Sequence, residues 1–367
     1  MAEEHSPLAG EIRRLIGTAG PMPVAEYMQV CLTHPQYGYY TTREPLGGQG
    51  DFITAPEISQ MFGELTGLWL ASVWQQLGAP KNVRLIELGP GRATMLIDAL
   101  RAAKTVPAFL AAIVLHLVEI SPALRKTQQQ RLAPLHLPVT WHDTLEEVPP
   151  GPCLIVANEF IDALPVHQVV KLADGWHERV IALGPAGKLT IGAAGEPLLG
   201  FEATLPSRLR RAPDGAIFEW RSDAITLQIG RRVRDGGAAL IIDYGHARHG
   251  LGETLQAVCG HAFADPLRLP GRADLTAHVD FEALAHSAES TDARVHGPIT
   301  QRDWLRRMGI DQRAAVLKAR AHRPVEIDQA LSRLTADGSR GMGELFKAIA
   351  MTDPKLKSVP GFETTTA

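Results

Sequence analysis

Apolar positions along the first eighty residues recur every three to four places. Leu8, Ile12, Leu15 and Ile16 share one helix face. The break "GPMP", Gly20 to Pro23, starts a second helix with Val24, Tyr27, Met28 and Cys31 on one side. A long loop rich in Gly, Pro and Tyr comes next, "HPQYGYYTTREPLGGQG". Ile58, Met61, Phe62, Leu65, Leu68 and Trp69 then predict a helix from about Pro56 to Leu77, closed by Gly78. From Lys81 the pattern becomes strand, helix, strand. "VRLIEL", "AIVLHLVE", "VTW", "CLIVANE" and "AALIIDYG" read as five short buried strands. "RVHGPI" and "ELFKAIAM" supply a sixth and a seventh. Helical patterns over Thr94 to Ala103, Pro122 to Arg131 and Asp223 to Arg234 separate the first five. That alternation predicts an α/β fold with a parallel sheet covered on both faces.

Between the fourth and fifth strands the period changes to two. "HQVVKL", "WHERVIAL" and "KLTIG", parted by "ADG" and "GPAG", predict an inserted β hairpin region over residues 164–221. A helical insertion is expected over 301–342 and a disordered tail over 353–367. The expected domains are an N-terminal helical lid, 1–79, and a core over 80–352 that carries both insertions.

Composition narrows the class only slightly. Apolar residues are 45%, charged residues 21%, and the net charge of −3 argues against nucleic acid as a partner. No apolar run of about 18 residues points to membrane insertion. The start "MAEEHSPLAG" is acidic, without a signal core or the Arg-rich pattern of a transit peptide. Cys31, Cys153 and Cys259 lie far apart, so a reducing cytoplasm is the expected compartment. The histidines are scattered; His246 and His249 sit in a Gly-rich loop without a third ligand, so no metal site is expected.

The chemistry is concentrated after the strands, where open parallel sheets bind ligands. The first strand leads into Glu87-Leu-Gly89-Pro90-Gly91, the second into Glu119-Ile120, the third into Asp143, the fourth into Asn158-Glu159, and the fifth into Asp243. Thr94 replaces the third glycine of a dinucleotide fingerprint, and a pyrophosphate would be repelled by these acids. S-adenosylmethionine carries a sulfonium and an ammonium but no phosphate, and it suits them. Gly89 and Gly91 allow close backbone approach. Glu119 has two oxygens for the ribose hydroxyls, and Asp143 an acceptor for the adenine amino group.

"GDFITAPEIS", "ELGPGRAT", "HLVEISPALRKTQ", "ANEFIDALPV", "ALIIDYGH" and "DLTAHVDF" resemble the MidA family, from about Ile12 to Ala350. The resemblance implies a class I SAM-dependent methyltransferase (Rossmann-like) core. It also implies transfer to an arginine of a protein substrate; mitochondrial members act on a respiratory complex I subunit, with symmetric dimethylation. It places the segment holding Asp51, Thr54 and Pro56 over the cofactor. The sequence departs from the family at Ala93, where glycine is usual, at Ile161, where Phe is more usual, and at Arg302-Asp303.

An arginine acceptor must be aligned and partly neutralised, since its pKa is about 12.5–13.8. Glu159 and Asp162, three apart after the fourth strand, are the candidate clamp; the bland alternative is a helix start capped by Asn158 and Asp162. Asp51 is a third candidate catalytic acid, with a solvated turn as its alternative. "TAPE" matches a capping box, with Thr54 capping and Glu57 reaching back. Rival functions are a small-molecule methyltransferase and a SAM-binding assembly factor. An NAD-dependent oxidoreductase is disfavoured by Thr94 and the acids.

Overall fold

The computed structural model describes residues 6–42, 54–338 and 341–363. The chain divides into two compact units. One comprises Met1–Phe52, Asp162–Ser222 and Arg248–Asp280, the other Ile53–Ile161, Asp223–Ala247 and Phe281–Ala367. The expected boundary at residue 79 does not coincide with this division: the long helix before it belongs to the second unit.

That second unit is built on a sheet of β1 (Val83–Leu88), β2 (Ile113–Val118), β3 (Val139–His142), β4 (Cys153–Asn158), β5 (Ala238–His246), β6 (Arg294–Thr300) and β7 (Phe346–Thr352). The spatial order is β3-β2-β1-β4-β5-β7-β6. β1 to β5 run parallel to one another, whereas β7 is antiparallel to β5 and to β6. All seven strands coincide with predicted ones. Leu85, Ile86, Leu154, Ile155, Leu240 and Ile241 are buried on both faces, as a helix-covered sheet requires. The order reverses between β1 and β4, so a crevice opens at their carboxyl ends.

Two helices frame that edge, α1 (Gln60–Gln76) and α2 (Thr94–Ala103), the second leading out of the glycine loop. Their close approach depends on two glycines of α1. A Cβ at Gly67 would lie 2.2 Å from the Ala99 carbonyl oxygen, and one at Gly63 2.6 Å from Asp98 Cβ. The buried Glu64 between them accepts from Arg313 Nε at 2.7 Å, Arg313 Nη2 at 2.9 Å and Arg101 Nη2 at 3.1 Å. Burial pushes its pKa up, but these guanidinium bonds prevail and hold it below its ordinary value. The predicted single helix from Pro56 breaks at Ser59, whose extended backbone and hydroxyl cap α1 at Met61 N, 3.2 Å.

The tail is ordered through residue 363, contrary to expectation. Leu356 and Val359 are buried, and the Pro360 carbonyl accepts from Trp69 Nε1 at 3.1 Å. Residues 364–367 lie outside the described ones. Three helices, Gln301–Arg307, Ile310–Lys318 and Pro324–Thr335, lie between β6 and β7.

The other unit packs helices Pro7–Ala19 and Val24–Thr33 on antiparallel strands Val166–Leu172, Gly175–Leu183, Leu189–Ala193 and Ile217–Arg221. Leu8, Ile12, Tyr27 and Met28 share one core with Val166, Ile181 and Leu275. The N-terminal helices therefore bury their apolar faces on the inserted strands.

Gly67→Ala is expected to lose about 1–3 kcal/mol in urea denaturation through overpacking. Gly10→Ala, in a helix with nothing within 4 Å of the new methyl, is expected to gain about 0.5–1 kcal/mol.

Candidate active site

The loop after β1 holds three left-handed residues on alternate positions: Gly89 at φ +59, Gly91 at φ +54 and Ala93 at φ +59. The Ala93 N–H closes a turn on the Pro90 carbonyl at 2.7 Å, which sets α2 in direction. Gly89 has a second duty that sequence did not indicate: a Cβ there would meet the Phe160 ring at 2.7 Å. Ala93 is fully buried and adopts a conformation that costs a non-glycine residue about 1–2 kcal/mol. That accounts for the glycine usual at this position in the family it resembles. Glu87, at the end of β1, is 3% exposed, and its Oε2 is buried without a hydrogen bond among the described residues. Burial pushes its pKa up to about 8.

At the end of β2, Glu119 is 7% exposed and held at both oxygens. Oε1 accepts from Ser121 N at 2.8 Å, and Oε2 from Gln128 Nε2 at 3.2 Å. Gln128 also donates to the Gly91 carbonyl at 2.7 Å and accepts from Trp141 Nε1 at 2.8 Å. One buried amide thus ties the glycine loop, the β2 acid and β3 together. A carboxylate has about four acceptor sites, so Glu119 keeps capacity for two hydroxyls. Ile120 beside it is 45% exposed, an uncovered apolar surface at the sheet edge. Asp143, after β3, is exposed and ion-paired to Arg125 Nη2 at 2.6 Å; Arg125 Nε also donates to the Glu119 carbonyl at 2.6 Å.

After β4 the chain turns sharply. Glu159 is left-handed, φ +50, and its N–H bonds the Ile242 carbonyl at 3.0 Å. Asp243, wholly buried in β5, accepts from the amides of Phe160 at 3.2 Å, Ile161 at 2.9 Å and Tyr244 at 2.9 Å. Those bonds stabilise a turn that places Glu159 in the left-handed region, where a non-glycine residue is uncommon. Glu159 Oε1 accepts from Asn158 Nδ2 at 3.2 Å and from the backbone N–H of Ala55 at 3.1 Å. No helix begins after Asn158, which removes the alternative reading of Asn158 and Asp162 as helix caps.

The capping box at "TAPE" is not formed. Thr54 makes no side-chain cap, and the first N–H of the turn Ala55–Ile58 goes to Glu159 instead. Pro56 does occupy the first turn, buried. Glu57 turns away from Thr54: it accepts from Thr94 Oγ1 at 2.6 Å and lies 3.6 Å from Arg92. The segment 54–58 is thereby bonded to the start of α2 by one carboxylate and to the β4 turn by another. Sequence could not show this, because both partners are remote in the chain.

Asp162 belongs to the other unit. There its carbonyl accepts from Ala277 N at 3.1 Å and Arg221 Nη2 at 3.1 Å, and Arg221 also donates to the carbonyls of Ala277 and His278, each at 2.6 Å. In the same unit Asp274 accepts from the Tyr40 hydroxyl at 2.9 Å. Burial, then the charges of Asp274 and Asp162, raise the Tyr40 pKa. Asp51 lies outside the described residues.

The sequence model of a family described as "Putative S-adenosyl-L-methionine-dependent methyltransferase" matches residues 65–299. The chain belongs to that family. Among its relatives, a Drosophila melanogaster protein named "Protein arginine methyltransferase NDUFAF7 homolog, mitochondrial" is 40% identical, over 95% of this chain and 85% of its own. The Homo sapiens protein arginine methyltransferase NDUFAF7, mitochondrial, is 37% identical over 94% of this chain and 83% of its own. A "likely methyl transferase" from Burkholderia thailandensis, solved bound to S-adenosyl-homocysteine, superimposes with a TM-score of 0.84 at 27% identity, covering 97% of this chain and 94% of that one. The methyltransferase therefore has the Rossmann-like α/β fold expected, and its cofactor is S-adenosylmethionine. The residues present fit that group: the covered, unbonded Glu87 Oε2 is an acceptor short of a donor, which an ammonium supplies. No helix among the described residues is long and apolar enough to cross a membrane.

Two outcomes are expected on stability. Glu159→Gly should be about 1 kcal/mol more stable than Glu159→Ala in urea, because glycine removes the left-handed penalty. Glu87→Gln should stabilise the ligand-free protein by an amount that depends on pH. Below about pH 4.3 both folded and unfolded wild type hold the proton. Between there and its folded pKa of about 8 only the folded state holds it, so wild-type stability falls as pH rises, and the loss is complete above that. Urea midpoints of the two proteins should diverge from acid toward about pH 8 and then run parallel.

Proposed function

We propose that this methyltransferase acts on an arginine side chain of a partner protein. The observation that supports this reading best is Glu159, a carboxylate held by a strained turn at the sheet's switch point. The names of relatives 37% to 40% identical agree with it.

In this reading each of the chain's own residues has a defined task. Glu87 accepts from the ammonium of the cofactor, and Glu119, fixed by Gln128 and Ser121, accepts from the ribose hydroxyls. Gly89, Pro90 and Gly91 shape the loop beneath it, Ile120 offers an apolar face, and Asp143 an acceptor at the far edge. Asn158, Thr54 and Pro56 complete that boundary. S-adenosylmethionine supplies an electrophilic methyl group on a positively charged sulfur. Glu159 orients the arginine by charge-assisted bonds to the guanidinium and draws off the proton that the nitrogen loses. Asp162 is proposed as the second arm of this clamp, and Asp51 as a third acid. Alignment within about 3–3.5 Å does most of the work, since the cofactor's methyl is already activated.

The finer expectations belong to the same proposal. The target is a respiratory complex I subunit or its homologue, and the product is symmetric dimethylarginine. The proposed compartment is the cytoplasm, where Cys31, Cys153 and Cys259 stay reduced, as they are here.

The test uses methyl-labelled S-adenosylmethionine, purified protein and a lysate from cells lacking its gene. Label is expected on arginine of one protein, falling at least about a hundredfold in Glu159→Gln. Label confined to small molecules would replace the protein substrate with a small one. Binding of the cofactor without any label would leave an assembly factor as the better account.

A further inference from the structure

The segment Thr54 to Ile58 is a closed turn. The Thr54 carbonyl accepts from the amides of Glu57 at 2.9 Å and Ile58 at 3.2 Å, and Pro56 stiffens its middle. Two carboxylates tie it to separate places. Glu57, inside the turn, accepts from the Thr94 hydroxyl at 2.6 Å and lies 3.6 Å from Arg92 in the glycine loop. Arg131 donates to that hydroxyl at 2.8 Å and to the Arg92 carbonyl at 2.7 Å, so the anchor is itself held from the helix Pro122–Leu132. At the other end of the turn, the N–H of the fully buried Ala55 reaches Glu159 Oε1 at 3.1 Å.

This last bond matters more to Glu159 than to the turn, which Glu57 already holds. The terminal torsion of a glutamate is broad, so its carboxylate rotates unless donors fix it. Oε1 of Glu159 has two, from different elements: the Ala55 N–H, and Asn158 Nδ2 at 3.2 Å. A guanidinium pairs with a carboxylate through two parallel N–H···O bonds, which needs the carboxylate plane set beforehand. Misplacing such a group by about 1 Å slows a reaction by about a hundredfold.

We propose that Glu57 is a positioning residue for Glu159. Anchored on Thr94, it keeps the Ala55 N–H on Oε1 and so sets the carboxylate plane that the acceptor arginine meets. Glu57 does not touch the acceptor, and its loss weakens transfer while cofactor binding stays. This inference rests on the reading of Glu159 as the acceptor acid.

The test combines two readouts. Transfer from methyl-labelled S-adenosylmethionine is followed over a dilution series of the lysate lacking the gene, which separates the limiting rate from the apparent KM. Calorimetry gives the affinity for S-adenosylhomocysteine. Glu57→Ala is expected to lower the limiting rate about tenfold and to change that affinity less than about twofold. Glu57→Gln keeps an oxygen for Thr94 and is expected to stay within about threefold of wild type. Ala55→Pro removes only the N–H, after a Thr54 whose extended backbone suits a following proline, and should match Glu57→Ala. The two changes together should lose no more than either alone, because they break one bridge. Losses that multiply, equal loss in Glu57→Ala and Glu57→Gln, or a matching fall in S-adenosylhomocysteine affinity would overturn the proposal. Should Ala55→Pro fail to fold, the contrast of Glu57→Ala with Glu57→Gln decides. Arginine labelling lost in Glu159→Gln but kept in Glu57→Ala would overturn this proposal alone, whereas full labelling by Glu159→Gln would overturn the acceptor reading with it.

Discussion

A carboxylate can be buried only if it is paired, hydrogen-bonded or protonated, and the strands β1 to β5 each bring one to the same sheet edge. The five are accommodated in different ways. Asp243 is satisfied by three backbone amides. Glu119 is held by an amide and a buried glutamine. Asp143 stays exposed and meets an arginine. Glu159 is fixed by a turn that Asp243 secures, and it caps a distant helical turn. Glu87 Oε2 is given no donor among the described residues. The differences arise from the architecture: a parallel sheet sends all five ends to one edge, and each neighbour is shaped by what its acid needs.

This arrangement separates support from chemistry. Asp243 and Gln128 are fully buried and saturated with protein partners, so they position their neighbours. Glu119 keeps acceptor sites beyond its two donors, and Glu159 is held in the left-handed region. Gln128 reaches the glycine loop, the β2 acid and a β3 tryptophan at once, so a shift in any of the three is felt by the others. Glu57 plays a similar part outside the sheet, linking the segment before α1 to the first residue of α2.

The strands and their terminal acids were legible because buried parallel strands carry a short, continuous apolar run, and the residue that ends such a run has a fixed place at the sheet edge. Helix faces such as Leu8, Ile12 and Ile16 were legible for the same reason of period. The readings that failed depended on partners far away in sequence. The Thr54–Glu57 spacing suits a capping box, yet Glu159 and Thr94 compete for the same groups and win. Gln128 lies in "KTQQQR", which reads as a solvated helix face, and only tertiary structure shows that this one glutamine points inward. The tail carries too few apolar residues to announce itself, but Leu356 and Val359 find a core already built by Trp69 and Trp304.

The central claim is that the acids at the carboxyl ends of β1 and β2 hold the amino-acid end and the ribose of one cofactor. A crystal structure of the protein with S-adenosylhomocysteine tests it most directly. The account predicts the ligand's ammonium within hydrogen-bonding reach of Glu87 and both ribose hydroxyls on Glu119, with Gln128 unmoved. A ligand bound elsewhere, or one that leaves Glu87 without a donor, would contradict it.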